Sequence, residues 1–272
     1  MNDDTAVLEK NMKLNVYSVV ELIQLARPHL VKSKGEIVNI SSIAGQPSAF
    51  SRVPYYAMAK AALDQMMRAL AIELIAEGVR VNNINNAGAA FVGGATGMKE
   101  NTAVLEKNMQ LNVYSVVELI QLARPHLVKS QGEIVNISSI AGQPCAFARV
   151  PYYAMAKAAL DQMMRALAIE LIAEGVRVNN VSPGAVITRF PQNMGISDAM
   201  AEKLYGHIAT NPGALPCGKV GSPLDIANVV AFLADRSLSS YIVGQTIIAD
   251  GGTTLVLASN ADPVVNQQLK SI

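Results

Sequence analysis

Tryptophan is absent from this chain of 272 residues, which carries only two cysteines and three histidines. Cys145 and Cys217 do not form a CxxC pair, so they suit neither a disulfide framework nor a zinc site, and we expect both to be reduced thiols. The histidines are scattered, and no metal-ligand cluster is predicted. These shortages exclude disulfide-stapled and metal-centred proteins.

Net charge and long apolar runs are also lacking. Lys plus Arg number 22 against 21 Asp plus Glu, which leaves no positive field for nucleic acid. The longest apolar runs, such as residues 226–234, fall short of the roughly 20 residues that cross a bilayer. The acidic start "MNDDTAVLEK" has no signal-peptide pattern, so a cytoplasmic protein without membrane contact is expected.

An internal repeat dominates the organisation of the chain. Residues 1–83, the first copy, align without gaps with residues 98–180, the second copy. Seven aligned positions differ: Asn2/Lys99, Asp3/Glu100, Asp4/Asn101, Lys13/Gln110, Lys34/Gln131, Ser48/Cys145 and Ser51/Ala148. A unit of this length occurring only twice is not a solenoid repeat. We interpret residues 1–84 as a partial duplicate of the central segment and residues 85–272 as the second half of the chain, which also contains the unrepeated residues.

Helical and strand patterns alternate along the second copy and beyond it. Apolar residues recur at helical spacing, and short β-branched runs between them are typical of buried parallel strands. The predicted order is helix 103–128, strand 132–139, helix 152–175, strand 176–182, helix 223–235 and strand 244–252. This alternation predicts an α/β fold with a Rossmann-like, doubly wound parallel sheet, incomplete or rearranged at its N-terminal edge.

The sequence "PYYAMAK" occurs in both copies and places a tyrosine four residues before a lysine. On a helix such residues are about 40° apart, so Tyr153 and Lys157 can face one cleft. A nearby ammonium lowers the pKa of a phenol, so we expect Lys157 to lower that of Tyr153. The pair alone is weak evidence, because this spacing is common on exposed helices. Ser138 and Ser139 follow the preceding strand, where open parallel sheets bind ligands.

Six ordered motifs resemble the short-chain dehydrogenase/reductase family, whose members are NAD(P)-dependent oxidoreductases with a Rossmann-type fold. They are "NNAG" (85–88), the Asn of "LNVYSVV" (111–117), "NISSIAG" (136–142), "YYAMAK" (152–157), "SPGAVIT" (182–188) and "ADGG" (249–252). The resemblance covers residues 85–272 once and residues 1–83 a second time in part.

The resemblance implies roles for residues of the second copy. Tyr153 would be the acid/base, with Lys157 holding the nicotinamide ribose, Ser139 orienting the substrate carbonyl and Asn112 holding a water of a proton relay. The expected cofactor-binding residues are Asn86, Ala87, Gly88, Tyr153, Lys157, Pro183, Gly184, Val186 and Thr188. The first-copy equivalents of the catalytic residues are Asn15, Ser42, Tyr56 and Lys60. NAD and NADP are not distinguished.

One family feature is missing from the sequence. Members of this family begin with a strand and T-G-x-x-x-G-x-G, whose backbone amides bind the pyrophosphate at a helix N-terminus. The cluster "GGATG" at 93–97 has the wrong spacing and is predicted to be a loop. The partial repeat stands where this glycine-rich half is expected.

Three interpretations remain open. The first is an NAD(P)-dependent enzyme that interconverts an alcohol and a carbonyl compound, acting as a homo-oligomer through its long helices. The second is a catalytically defective remnant whose function is assembly or interaction. The third is a faulty gene prediction, in which two near-identical copies were fused at "VRVNN"/"VNNAG".

Overall fold

A computed structural model of the protein describes residues 5–40, 54–85, 88–94, 97–145 and 148–256. Within it, five parallel strands form one sheet whose spatial order follows the chain order, β1-β2-β3-β4-β5. The strands are β1 (Glu36–Ile40), β2 (Arg80–Asn85), β3 (Glu133–Ile137), β4 (Arg177–Pro183) and β5 (Thr246–Ala249).

The two copies form the same helices. In the first, α1 and α2 are joined by a π-helical turn and followed by α3; in the second, α4, a π-helical turn, α5 and α6 repeat them. Shorter helices follow towards the C-terminus. The helices are α1 (Thr5–Met12), α2 (Ser18–Ser33), α3 (Pro54–Ile75), α4 (Thr102–Met109), α5 (Ser115–Ser130), α6 (Pro151–Ile172), α7 (Phe190–Asn193), α8 (Asp198–Ala209), α9 (Pro223–Ala234) and α10 (Arg236–Ser239), and the π-helical turns are Lys13–Tyr17 and Gln110–Tyr114.

Local sequence explains where the helices begin. Asn101 caps α4 by accepting a hydrogen bond from the Ala103 backbone N–H at 2.8 Å. Ser222 and Asp225 form a reciprocal capping box at α9. Proline opens both α3 and α6, where a missing backbone donor costs nothing. All six segments predicted from the second copy onward are present with small boundary shifts.

Alternation along the strands divides the core between the two faces of the sheet. Ile134 and Val178 point towards α5 and α6, whereas Val135 and Val181 pack against α9. Helices therefore cover both faces, as predicted for an α/β sheet of this class. A third core cluster lies between α2, α3 and β1, and its Ile23, Leu63, Met67, Leu74 and Val79 are the counterparts of Ile120, Leu160, Met164, Leu171 and Val176 in the cluster between α5, α6 and β3.

Strand β2 belongs to both halves of the sheet. It pairs with β1 over five residues, from Arg80 opposite Glu36 to Ile84 opposite Ile40. Among the described residues, it pairs with β3 through Ile84 opposite Val135 and Asn85 opposite Asn136. The start of β2 thus closes the first copy, and its end opens the second. This is the predicted rearrangement of the N-terminal edge: β1, from the first copy, lies at the edge of the described sheet.

No helix in the described part of the chain is long and apolar enough to span a membrane. The same residues contain no group of three or more His, Cys, Asp or Glu side chains arranged to hold a metal ion.

Candidate active site

The predicted catalytic residues meet at the carboxyl edge of the sheet. Ser139 follows β3, Asn112 lies in the π-helical turn between α4 and α5, and Tyr153 and Lys157 lie one turn apart on α6. Gly88 comes from the segment after β2. Two strand ends, the π-helical turn and α6 therefore supply one cluster.

Tyr153 and Lys157 share one face of α6, as their spacing predicts. The Lys157 Nζ atom lies 5.8 Å from the centroid of the Tyr153 ring and donates a 2.9 Å hydrogen bond to the Ile137 carbonyl at the end of β3. Both side chains are buried. The neighbouring Tyr152 points elsewhere, and its hydroxyl donates to the Glu100 carbonyl at 2.9 Å.

Ser139 joins the Tyr153 side chain to the end of β3. Its Oγ atom accepts a 3.1 Å hydrogen bond from the Ala141 backbone N–H, which fixes the turn, and it also hydrogen-bonds the Tyr153 hydroxyl. The phenol and the serine hydroxyl can therefore contact one substrate oxygen.

Asn112 presents a buried acceptor that has no partner in the structure. Its Nδ2 atom donates to the Ala89 and Asn108 carbonyls at 3.1 and 2.9 Å, but Oδ1 has no hydrogen-bond partner. A Cβ atom at Gly88 would lie 3.5 Å from this oxygen and 3.2 Å from the Lys157 Nζ atom. An unpaired buried acceptor is costly, so a water or a ligand donor fits beside Gly88.

Burial shifts the pKa values of Tyr153 and Lys157 in opposite directions. Desolvation raises the pKa of Tyr153 to about 12, against the opposing effect of its hydrogen bond with Ser139. Desolvation lowers the pKa of Lys157 to about 8, and the carboxylate of Asp161 opposes that shift. The expected lowering of the Tyr153 pKa by Lys157 is wrong for this structure, because the ammonium bonds the Ile137 carbonyl and burial dominates.

The end of β4 lies at the same carboxyl edge of the sheet as the end of β3, with which β4 pairs in parallel. Gly184 packs so closely that a Cβ atom would lie 2.8 Å from the Cα of Asp250, while Val186 bridges to Gly221. The Tyr205 hydroxyl, from α8, donates to the Val186 carbonyl at 2.8 Å. Pro183 and Thr188 lie in the same stretch, Pro183 partly buried and Thr188 exposed. Asn86 and Ala87 lie outside the described residues.

A buried polar network behind the cluster was not foreseen from the sequence. The carboxylate of Asp161, one turn beyond Lys157, accepts hydrogen bonds from Gln143 and Asn180, both at 2.7 Å. Gln143 also donates to Ser182 at 3.2 Å. The sequence signal for this network was Asp161, an acidic residue four positions after Lys157 and therefore on the same face of the helix. Phe190 was missed as well; its ring centroid lies 5.6 Å from that of Tyr153.

The structure brings together fewer parts of a cofactor site than the family pattern contains. The nicotinamide side fits, since Lys157 Nζ and the unpaired Asn112 oxygen both lie beside Gly88. The pyrophosphate side does not: the Gly93 N–H binds the Glu100 carboxylate at 2.7 Å, so this glycine serves a loop contact. The described part of "GGATG" is a loop and a short 3₁₀ turn, as predicted.

In the first copy, Tyr56 and Lys60 repeat the geometry of α6, with Lys60 Nζ 5.9 Å from the Tyr56 ring centroid. Asn15 is only partly buried, whereas Asn112 is fully buried. Ser42 lies outside the described residues. The first copy therefore repeats the pair but not the enclosure of Asn112.

Comparison with known proteins gives two overlapping family matches. The family described as enoyl-(acyl carrier protein) reductase matches residues 2–104 and again residues 83–254. Among curated proteins, L-fucose dehydrogenase of Bos taurus is 35% identical over 149 residues, which cover 54% of this chain and 52% of that protein. Oxidoreductase UcpA of Salmonella typhimurium is 30% identical over 173 residues, 63% of this chain and 64% of its own length. The chain thus spans about half to two thirds of the relatives it matches.

Solved structures agree with these matches. A Caenorhabditis elegans short-chain dehydrogenase/reductase of unknown function, solved with cofactor, is 45% identical, with a TM-score of 0.68 and 73% of each chain covered. The apo glucose dehydrogenase of C. elegans is 35% identical, with a TM-score of 0.52, over 71% of this chain and 84% of that one. The fold is therefore Rossmann-like, and the chain belongs to the short-chain dehydrogenase/reductase family.

Proposed function

We propose that this chain is an NAD(P)-dependent oxidoreductase that interconverts an alcohol and a carbonyl compound at Tyr153. The observation that carries the proposal is the meeting of Ser139, Tyr153 and Lys157 with the unpaired Oδ1 atom of Asn112. Family membership supports NAD or NADP as the cofactor without distinguishing between them. When bound, the nicotinamide supplies or accepts the hydride.

Tyr153 is the proton donor in this proposal. With its pKa raised to about 12, the phenol keeps its proton at neutral pH. That is the state needed to protonate a carbonyl oxygen during reduction, and Ser139 can hydrogen-bond the same oxygen as negative charge develops on it. The structure therefore favours carbonyl reduction as the first reaction to assay.

Lys157 and Asn112 complete the route for protons. The Lys157 Nζ atom and the Asn112 Oδ1 atom both lie within 3.5 Å of the position that a Cβ atom would take at Gly88. After Tyr153 has given its proton to the substrate, the Lys157 ammonium would pass a proton towards the phenolate and recover one from a water held by Oδ1, so that Tyr153 is reprotonated without direct access to solvent. Gly88 leaves room for this water, and for the cofactor-ribose contact proposed for Lys157.

A second candidate is a catalytically defective protein of assembly or interaction. It is favoured by the absence of T-G-x-x-x-G-x-G from the sequence and by the loop contact of Gly93. Its surfaces would be the outer faces of the long helices, where Leu25 on α2, Leu122 on α5 and Ile169 on α6 are exposed. Homo-oligomers formed through these faces, in the cytoplasm, are compatible with either function.

The test is a titration of purified protein with NADH and with NADPH, followed by thermal shift and by nicotinamide fluorescence. Turnover is then measured with L-fucose, glucose and a panel of simple carbonyl compounds. We expect saturable binding and turnover, with Tyr153→Phe lowering kcat by about 10²–10⁴-fold, the usual contribution of acid/base catalysis.

Tyr56→Phe is the matched control, because its sequence surroundings are identical for several residues on either side. It should change kcat by less than about twofold, since an ordinary surface substitution has little effect. Absence of cofactor binding at millimolar concentration would contradict the enzyme and support the assembly protein. Equal losses in both variants would contradict the assignment to the second copy.

A further inference from the structure

Helix α1 and the π-helical turn after it carry the same side chains as α4 and its turn in the second copy, except that Lys13 stands where the second copy has Gln110. In the second copy these side chains hold the segment of residues 88–94. Asn108 accepts a hydrogen bond from the Phe91 backbone N–H and donates one to the Phe91 carbonyl, both at 3.2 Å. Asn112 donates to the Ala89 carbonyl at 3.1 Å. The second copy therefore binds an extended segment through two asparagines.

The same helix face also makes an apolar contact with residues 88–94. A Cβ atom at Gly93 would lie 2.8 Å from the Val104 Cγ2 atom, so the segment lies directly on Val104. Val104 on α4 is 9% exposed, and Leu111, in the π-helical turn after α4, is 6% exposed.

The first copy has the same residues without such a segment among the described residues. Val7, the counterpart of Val104, is 42% exposed, and Leu14, the counterpart of Leu111, is 70% exposed. The asparagines are already oriented: Asn11 donates to the Val7 carbonyl at 2.8 Å, as Asn108 does to Val104, and Asn15 donates to Asn11 at 3.0 Å. The first copy is thus preformed for the contact that the second copy makes.

The sheet edge beside this face points to the same occupant. In the second copy the bound segment continues from β2, which pairs in parallel with β3 through Ile84 opposite Val135 and Asn85 opposite Asn136. The corresponding positions of β1 are Val38 and Asn39, and β1 is the edge strand of the described sheet. Strand addition at such an edge is a common mode of peptide recognition.

We propose that α1, the turn Lys13–Tyr17 and the outer edge of β1 form a docking site for a separate polypeptide. Its occupant is a parallel strand continued by a Gly-Ala-Ala-Phe segment, with the chemistry of residues 79–94. The sequence contains one such segment, and α4 with its turn already binds it. A second copy of this chain therefore has no free segment of this kind. A separate chain that carries a family "NNAG" strand is the partner that fits.

The experiment uses the full chain and a fluorescent synthetic peptide, VRVNNINNAGAAFVGG, which has the sequence of residues 79–94. Fluorescence anisotropy should show saturable binding below millimolar peptide. Hydrogen exchange should slow in α1 and β1 when the peptide is bound. Neither readout depends on catalysis, so the result is separate from that of the proposed function.

Matched variants locate the site. Asn11→Ala removes the side chain that would bond Phe91 of the peptide, and about tenfold weaker binding is expected from the loss of two hydrogen bonds. A peptide with Phe91→Pro, which lacks the backbone donor, should be weakened as well. Asn108→Ala is the control in the second copy and should leave the affinity of the first-copy site within about twofold. Thermal melting verifies that Asn11→Ala, a change on an exposed helix face, remains folded.

Three results would overturn the proposal. The first is no binding at millimolar peptide, and the second is unchanged affinity in Asn11→Ala. The third is self-association of the purified chain in the ultracentrifuge that Asn11→Ala abolishes and the peptide competes away. That result would identify a second copy of the chain, rather than a separate polypeptide, as the occupant.

Discussion

The two copies are an internal experiment in which nearly the same sequence is placed in two surroundings. Their cores are equivalent: Leu63 and Leu160 are each 1% exposed and pack against matching residues of α2 and α5. Their outer helices differ, since Leu14 is 70% exposed and Leu111 is 6% exposed. Local sequence determines how each helix-strand-helix unit packs internally, whereas neighbouring segments determine which of its surfaces are covered.

The difference extends to the chemistry. Tyr56 and Lys60 reproduce the spacing of Tyr153 and Lys157, because both pairs are fixed by one helix. Only the second copy encloses its asparagine against the segment after β2, which leaves the Asn112 oxygen buried and unpaired. A reaction site needs this enclosure, which the helix alone does not provide.

The largest effect on stability is expected at the matched core leucines. Leu160→Ala and Leu63→Ala should each lower the free energy of unfolding of their own half by about 2–5 kcal/mol, because each creates a cavity in a buried cluster. In the part of the chain that the structure describes, two residue pairs join β2 to β3. Leu63→Ala should therefore destabilise β1 and α3 while β3 and α6 keep their protection, as measured by native-state hydrogen exchange.

Leu160→Ala is the reciprocal control. It should lower the hydrogen-exchange protection of β3 and α6 while β1 and α3 keep theirs. A single unfolding transition, shifted equally by both substitutions, would show that the sheet unfolds as one unit despite the short junction.

The next effect is a pH dependence that comes from the buried lysine. Burial lowers the pKa of Lys157 from its ordinary 10.5 to about 8 in the folded protein. Between these values the unfolded chain binds a proton that the folded chain lacks, so this group raises the free energy of unfolding as pH increases. The gain should reach roughly 2 kcal/mol by pH 10.

Urea unfolding of the wild type and of Lys157→Met between pH 8 and pH 10 isolates this contribution. The difference in free energy of unfolding between the wild type and Lys157→Met should change between pH 8 and pH 10, because methionine does not titrate. Parallel pH curves would show that Lys157 keeps its proton when folded, which would contradict the dominance of burial.

The smallest effect is expected at Leu14 on the outer helix of the first copy, and it contrasts with that of its counterpart Leu111. Leu111→Ala is expected to cost about 2–3 kcal/mol, because the leucine is almost fully buried, whereas Leu14→Ala should stay within about 0.5 kcal/mol. Thermal unfolding of the two variants measures the contrast. If the peptide of residues 79–94 binds the first copy, Leu14→Ala should weaken peptide binding while leaving the stability of the free protein unchanged. Equal losses of stability in Leu14→Ala and Leu111→Ala would mean that Leu14 is already covered.

Much of the site was predictable because it depends on local spacing. The positions of Tyr153 and Lys157 follow from helical geometry, and Ser139 follows from its place at the end of β3. The pKa of Tyr153 was predicted in the wrong direction, because desolvation depends on Phe190 and other residues that are distant in sequence. The network of Asp161, Gln143 and Asn180 was missed for the same reason, since its members come from three different segments.

The sequence by itself determined the family and the parallel α/β class, and it located the side chains proposed to react, because periodicity and motif spacing are local properties. Only the tertiary structure decided which copy encloses its asparagine and how one strand serves both halves of the sheet. Burial and strand pairing depend on what lies beside a segment in space. Two nearly identical sequences therefore differ in exposure and in proposed function.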